Sequence, residues 1–311
     1  MTTLTNTYTS SSAKGLREDL TDFIWNISPT QTPFISNIGK AKASGTYHEW
    51  QTDSLAPVAV NTQIEGDNIS TFTAAAPTSR LGNFTQISYK TLSISGTLDA
   101  VNKAGRKSET AYQLTKRGKE LKRDMEFNLL LNTAKSNGSP RVAAGAEAWY
   151  HTNTNLGTGA TAGSGDGVTA RVTGTQRALT EAMFKSVLQG IYNASAECPD
   201  IVLANAEQKQ VISGFNGGRT VFIDNTKNKT LNATFDVYES DFGSMKIIPT
   251  PTFYTNGVHL LNTDYWAVAE LRPFQTITLA QTGDAQNRLL LSEYTLESRN
   301  EASSGFIGDL T

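Results

Sequence analysis

Residues 16–54 cannot build a core with one another, and that constrains the whole chain. Leu16, Leu20, Phe23, Ile24 and Ile27 recur at spacings of three and four, which predicts a short helix with one apolar stripe. Arg17, Glu18, Asp19, Thr21 and Asp22 occupy its other side. Pro29 and Pro33 then stop the helix and hold the chain extended. Lys40 to Ser54 reads as a strand-like but mostly polar stretch. A helix of about three turns is marginal in water by itself. Its stripe must bury against something distant, and another copy of the same chain is the natural candidate.

Bulk properties narrow the class further. At 311 residues the chain can bury a sizeable core, and two domains are expected. A hydrophobic content of 38% with 18% charged residues excludes a disordered chain. No run approaches the roughly 20 apolar residues of a spanning helix, so no membrane role is expected. The start, MTTLTNTYTSSSAKG, lacks the apolar region of a signal peptide and reads as a disordered or partner-ordered tail. Cys198 is the single cysteine, which excludes an internal disulfide framework and a cysteine-rich zinc site. A formal charge of −2 argues against a tight non-specific grip on nucleic acid, which depends on neutralising phosphates.

Beyond the arm, Thr46–Trp50, Val58–Thr62, Asn68–Thr73 and Phe84–Ile94 favour β structure, broken by Pro57, Gly66, Pro77 and Gly82. Large apolar residues are sparse before Phe84, so a long, exposed two-stranded loop is predicted. Such a hairpin is not stable alone. Ser108 to Lys135 is the longest predicted helix, with Ser108 as N-cap and Glu109 in the positive first turn. Leu114, Gly118, Leu121, Met125, Leu129 and Asn132 line one stripe, and Lys116–Glu120 has ion-pair spacing on the other side. From Met125 to Leu131 the chain is apolar nearly all round, and Asn137 to Pro140 ends the helix. The Gly-, Ala- and Thr-rich residues 139–175 read as a flexible surface segment.

A compact α/β unit follows. Thr180 caps a helix with Met183, Phe184, Val187, Leu188 and Ile191 on one face. Asp200–Ala204 is a short apolar strand, and Asn205 caps a second helix with Val211 and Ile212 inward. Strands are then expected at 220–224, 234–239, 245–249, 258–262, 266–270, 275–280 and 288–297. The order of elements is that of an α+β chain.

Chemical motifs do not organise into a catalytic site. Gly157-Thr158-Gly159 lacks the preceding strand and following helix of a dinucleotide loop. Asp241-Phe242-Gly243 spells a kinase tripeptide, but the glycine-rich loop and catalytic loop are missing. A turn with Gly243 at positive φ is the better reading. His48, His151 and His259 share no metal-ligand spacing. Cys198 precedes Pro199 with no evident base beside it. Trp25 and Trp50 lie on segments without a core, where aromatics serve as interface anchors.

These elements, in this order, resemble the major capsid proteins of tailed bacteriophages, with the fold named after phage Hong Kong 97. The resemblance is carried by REDLTDFIWNISPTQTPFISNIG (17–39), YHEWQTDSL (47–55), VYESDFGSMKIIPTP (237–251), ELRPF (270–274) and ESRNEA (297–302). It implies an N-terminal arm over 1–39 and an extended loop over 40–96 that overlaps a neighbouring subunit. It implies a peripheral domain over 97–174, with a spine helix over 108–136, and an axial domain over 175–269. Strands over 270–311 would return to the peripheral domain. Some relatives carry a removable scaffold-like segment before the arm; Met1 favours a type with separate scaffolding. Some cross-link a loop lysine to a neighbour. Lys40 and Lys42 match no such motif, so no cross-link is expected.

The expectation is a non-enzymatic shell subunit without cofactor or metal, assembling through hexamers and pentamers into an icosahedral virion capsid. The shell would enclose double-stranded DNA without reading its sequence. Separate scaffolding, portal and possibly decoration proteins are expected partners, with assembly in the bacterial cytoplasm. Leu20, Phe23, Ile24, Trp25, Phe34, Ile35, His48, Trp50 and Asp53 are the expected subunit-interface residues. The rival readings are a bacterial nanocompartment shell of the same fold, a phage tail or connector component, and a soluble α/β enzyme.

Overall fold

Two sheets share one aromatic core, and a long helix lies across the first of them. The computed structural model of the chain describes residues 28–66, 72, 74–215, 237–252, 254–281 and 283–311. The helices are α1 (Pro33–Asn37), α2 (Gly96–Ala100), α3 (Glu109–Leu130), α4 (Ala146–Trp149), α5 (Glu181–Ser195) and α6 (Ala206–Ser213). The strands are β1 (Gly39–Lys42), β2 (Tyr47–Thr52), β3 (Ser79–Phe84), β4 (Gln86–Ser95), β5 (Thr154–Asn155) and β6 (Ile201–Asn205). They continue with β7 (Val237–Ser240), β8 (Gly243–Thr250), β9 (Val258–Leu261), β10 (Trp266–Thr278), β11 (Ala285–Ser298) and β12 (Gly305–Ile307).

The first sheet has four strands in the order β1-β10-β11-β4. β10 and β11 form one long antiparallel pair running from Trp266↔Ser298 to Thr278↔Arg288, with register shifts between Glu270 and Gln275. The expected break between 270 and 275 is therefore a bulge inside one strand, which bends it without ending it. Leu92 and Ile94 of β4, Leu290 of β11 and Leu121 of α3 bury together, with Leu114 against them. The second sheet has six strands, β5-β12-β9-β6-β8-β7. β6 lies parallel to β8 and antiparallel to β9, and all five of its residues are buried. A centrally buried strand must read as a continuous apolar run, as IVLAN nearly does. Phe184, Val187, Leu188 and Ile191 of α5 cover this sheet.

The capping residues stand where the sequence puts them. The side chains of Ser108, Thr180 and Asn205 accept hydrogen bonds from the backbone N–H groups of Ala111, Met183 and Gln208. Each satisfies one donor that a helix start leaves unpaired. The 241–243 turn also forms between β7 and β8, with Gly243 at φ +150°.

The structure departs from the local pattern at several points. The long helix stops at Leu130, short of 136, because Leu131 turns extended with ψ 149°. Asn132 then acts like a strand residue toward Arg171, donating to its carbonyl at 2.8 Å and accepting from its N–H at 2.9 Å. At 22 residues the helix is about 33 Å long. On its surface Glu120 pairs with Arg117 at 2.7 Å, displacing the expected Lys116 partner.

The glycine-rich stretch is not a surface coil in its first part. Ala143, Ala144, Ala146, Ala148, Trp149 and Tyr150 are all buried. Gly145 and Gly163 are small because the backbone crosses there: a Cβ would strike the carbonyls of Leu131 and Ala148. Val58–Thr62 forms no strand and is fully exposed. Val211 faces outward at 40% exposure while Ile212 packs inward. β10 spans 266–278 in the first sheet, and β12 pairs with β9 in the second, so the chain's last strands serve both sheets.

Candidate functional site

The feature that sets this subunit apart is a hairpin with two unlike halves. β2 and β3 pair antiparallel from Tyr47↔Phe84 to Thr52↔Ser79. Along β2 the pleat alternates, with Tyr47, Glu49 and Gln51 outward and His48, Trp50 and Thr52 half-buried. Past that pair no described residue up to Thr78 is in a strand. Leu55 is 98% exposed, Val58 fully exposed and Phe72 85% exposed. Apolar groups gain about 25 cal/mol per Å² on leaving water, so a run of them held in solvent marks a surface built for a partner.

The root of the same hairpin is tied down hard. Asn83 is fully buried and makes three bonds. Its Nδ2 donates to the carbonyls of Ala144 and Leu296, at 3.2 and 2.9 Å, and its Oδ1 accepts from Ala144 N–H at 2.9 Å. Lys135 Nζ donates to the Gly82 carbonyl at 2.7 Å and to the Asp166 carbonyl at 2.9 Å. Glu293 accepts from Thr85 at 2.9 Å, Arg141 at 2.6 Å and Arg272 at 2.7 Å, which joins the root to β11 and β10. His48 Nε2 lies 3.3 Å from Glu297 Oε2, and the Trp50 ring sits 5.4 Å from that of Trp149.

A second device holds the start of the described chain. Glu126, on the buried side of α3, accepts from the N–H groups of Phe34 and Ile35 at 2.6 and 2.8 Å. A carboxylate is suited to the exposed N–H groups that open α1. Burial nevertheless pushes the Glu126 carboxyl up to about 7, against the opposing pull of the Ile35 and Phe34 N–H groups and the Lys122 charge. Phe34 is fully buried, its ring edge-on to Trp266 at 6.2 Å. Tyr254 adds a bond from its hydroxyl to the Gln31 carbonyl at 3.1 Å.

The body holds further buried polar groups, each with partners. Arg171 bonds Glu147 at 2.5 Å and Asp309 at 2.9 Å under the Phe306 ring. His259 lies between the Tyr150 hydroxyl, 3.2 Å away, and Thr255, 3.0 Å away. Burial, with the nearby Arg171 charge, lowers its pKa to about 3, so it stays neutral. These are packing devices, not a reaction centre.

The sequence-predicted interface residues divide accordingly. Leu20, Phe23, Ile24 and Trp25 lie outside the described residues. Phe34 is a core residue of its own subunit and has no surface left to offer a neighbour. Ile35 is partly buried against the same core. Thr32, Pro33, Phe34 and Ile38 pack on the body, and β1 pairs with β10. His48 and Trp50 belong to the fixed root, and Asp53 stands exposed just past it. Sequence reasoning missed Glu126 and Asn83. Glu126 had a signal: it is a carboxylate inside the stretch that reads apolar nearly all round.

A two-sheet α+β body, a long helix across one sheet and a hairpin left unfinished in solvent together define a viral capsid subunit. The comparisons agree over the whole chain. The SU10 major capsid protein family matches residues 1–311, and the chain belongs to that family. The major capsid protein of Escherichia phage Phieco32 is 28% identical over 336 aligned positions, covering 94% of both proteins. Among solved structures, a cyanophage A-1(L) capsid asymmetric unit superposes with a TM-score of 0.70 at 13% identity, covering 99% of this chain and 100% of that one. A chain from the capsid of a native GTA particle gives 0.65 at 10% identity, covering 97% and 98%. The protein is a structural capsid component of a phage and not an enzyme. Nothing in these relatives favours the nanocompartment reading.

Proposed function

We propose that copies of this chain close through hexamers and pentamers into an icosahedral shell around double-stranded DNA. The observation that carries this reading is the run of nearly fully exposed aliphatic residues over 53–66, directly beyond a root fixed in the subunit core. Such a loop gains burial only against another chain. Rings need head-to-tail contacts that close, and a loop reaching onto the next subunit supplies one. Each contact can be modest, because a ring converts later contacts into intramolecular ones.

A near-neutral subunit suits DNA that is driven in by a separate motor and enclosed without sequence reading. Scaffolding, portal and possibly decoration proteins would be separate chains, with assembly in the host cytoplasm. The peripheral and axial domains would correspond to the first and second sheets. Trp25 and the stripe Leu20, Phe23 and Ile24 would add an arm contact between copies. The test is negative-stain imaging of the purified chain, with a nuclease-protection assay on particles from infected cells. Closed shells that protect DNA are expected. Tubes or single rings would point to a tail or connector role and overturn the proposal.

A further inference from the structure

Positive charge is concentrated on one element of an otherwise acidic chain. Residues 97–124, which hold most of α2 and α3, carry eight Lys and Arg against four Asp and Glu. The whole chain carries 27 against 29, so everything outside this stretch is net acidic. The acidic residues of the stretch are already engaged. Asp99 accepts from the Glu109 N–H at 3.0 Å, Glu109 and Glu120 pair with Arg106 and Arg117, and Asp124 pairs with Lys90 at 2.6 Å. Lys116, Lys119 and Lys122 are left along the outer side of α3, all three exposed. Among the described residues none of them forms an ion pair, although the Lys122 charge reaches the buried Glu126. They lie about 4.5 Å apart along the helix axis, within an arc of about 120°.

This ridge and the hairpin stand on opposite faces of the first sheet. Successive side chains of a strand point to alternate faces. On β11, Leu290 packs with Leu121 of α3, and the Tyr294 hydroxyl accepts from Asn128 of α3 at 3.4 Å. Residues of the other parity, Glu293 and Glu297, meet Thr85 and His48 at the hairpin root. The exposed loop therefore leaves from one side of the sheet and the lysines from the other. A closed shell has one wall toward bulk solvent and one toward its contents. Lysines left without a counter-charge belong on the wall that faces a polyanion.

We propose that Lys116, Lys119 and Lys122 line the inner wall of the shell and touch the phosphate backbone of the enclosed DNA. This rests on the shell reading above and names the surface that meets the genome. Lysine is a compact, hydrated point charge suited to phosphate. Contacts to phosphate carry no sequence information, as an enclosing wall requires. A duplex presents one charge per about 1.7 Å of axis, so the roughly 9 Å from Lys116 to Lys122 faces about five charges, enough for all three lysines. The net charge of −2 does not forbid the contact. Exposed charges more than about 8 Å away are largely screened at physiological salt, so a duplex lying on the ridge feels the ridge first. One subunit holds DNA weakly, and a shell repeats the contact on every copy.

The test measures binding of the full-length chain to short random-sequence duplexes across salt concentrations, by fluorescence anisotropy. K116Q/K119Q/K122Q removes three charges from exposed positions and leaves the fold in place. With three phosphates lost, the slope of log K against log salt should flatten by about 2.7. Between about 50 and 200 mM salt the wild type should thus lose about fortyfold more affinity than the variant. K40Q/K42Q/K246Q removes the same charge from exposed positions on β1 and β8 and should leave the slope unchanged. Equal slopes for the wild type and the ridge variant, including no binding by either, overturn the proposal while leaving the shell reading intact. An equal flattening in both variants does the same. As a second arm, Lys116, Lys119 and Lys122 in DNA-filled particles should be protected from acetylation relative to Lys40 and Lys42. They should lose that protection once the particles are opened and their DNA is digested. Protection that survives digestion would assign the ridge to a contact between subunits and overturn the proposal. A wild-type chain that never closes would sink the shell reading and this inner wall with it.

Discussion

The root and the tip of the hairpin are one or two residues apart in sequence and opposite in physics. Asn83 and Gly82 are tied through side chain or carbonyl to the body, and Trp50 rests on Trp149. From Asp53 onward the described loop residues have no cover at all. The root is therefore part of the subunit's folding unit, whereas the described tip residues take no part in it. Under the proposed function, assembly and stability are placed in separate residues. A lever with a fixed handle can take its direction from the body while its working end stays free to find a partner.

The strongest way to break this comparison is to remove the tip. Replacing residues 54–77 with a short Gly-Ser turn should leave a folded, soluble subunit with an unchanged thermal midpoint. No buried group of the body touches the deleted side chains in the described structure, and exposed substitutions lie within about 0.5 kcal/mol. The same variant should form no closed particles in electron micrographs. Normal shells would show that the tip is dispensable and the contrast empty.

The next largest effect should come from the root. Asn83→Ala leaves the Ala144 N–H and two carbonyls without their buried partner. An unsatisfied buried group costs about 1–3 kcal/mol, so the variant should lose about 4 kcal/mol in denaturant unfolding. Leu55→Ala, on the tip, should lose nothing measurable. Equal losses at the two positions would mean that the tip is packed in the free subunit.

Much of this architecture was legible in the sequence, and the failures have a common cause. Helix starts were read correctly because Ser108, Thr180 and Asn205 act within three residues of themselves. The exposed loop was legible because a stretch short of large apolar residues cannot hide. Helix stops and the glycine-rich segment were not legible, since both depend on contacts across the fold. Leu131 turns where Asn132 finds Arg171 and where Gly145 crosses it, and neither partner is near in sequence. Phe34 looked like an interface anchor because its own stretch has no core. Its core is supplied by Trp266, more than two hundred residues away.

The smallest of the three effects sharpens the comparison at the chain's start, where a buried clamp takes the place of the hairpin root. The Glu126 carboxyl titrates at about 7 in the folded subunit against an ordinary 4.5. Between those values the folded state holds a proton that the unfolded chain has released. Stability from this group is therefore greatest below pH 4.5 and falls as pH rises to about 7, by about 3 kcal/mol in all. Glu126→Gln keeps the shape and one acceptor but cannot titrate. The stability difference between the wild type and this variant should fall by that amount from pH 4.5 to 7 and then level off. A flat difference would mean that the carboxylate is solvated and that the segment at 33–38 is not clamped by it. If the fall is seen, hydrogen exchange at the Phe34 and Ile35 amides should quicken in the variant while that of the Asn83-bonded Ala144 amide does not. That result would separate two anchoring points on one body: the buried Asn83 amide at the hairpin root, which does not titrate, and an arm base whose hold weakens as its buried carboxyl ionises.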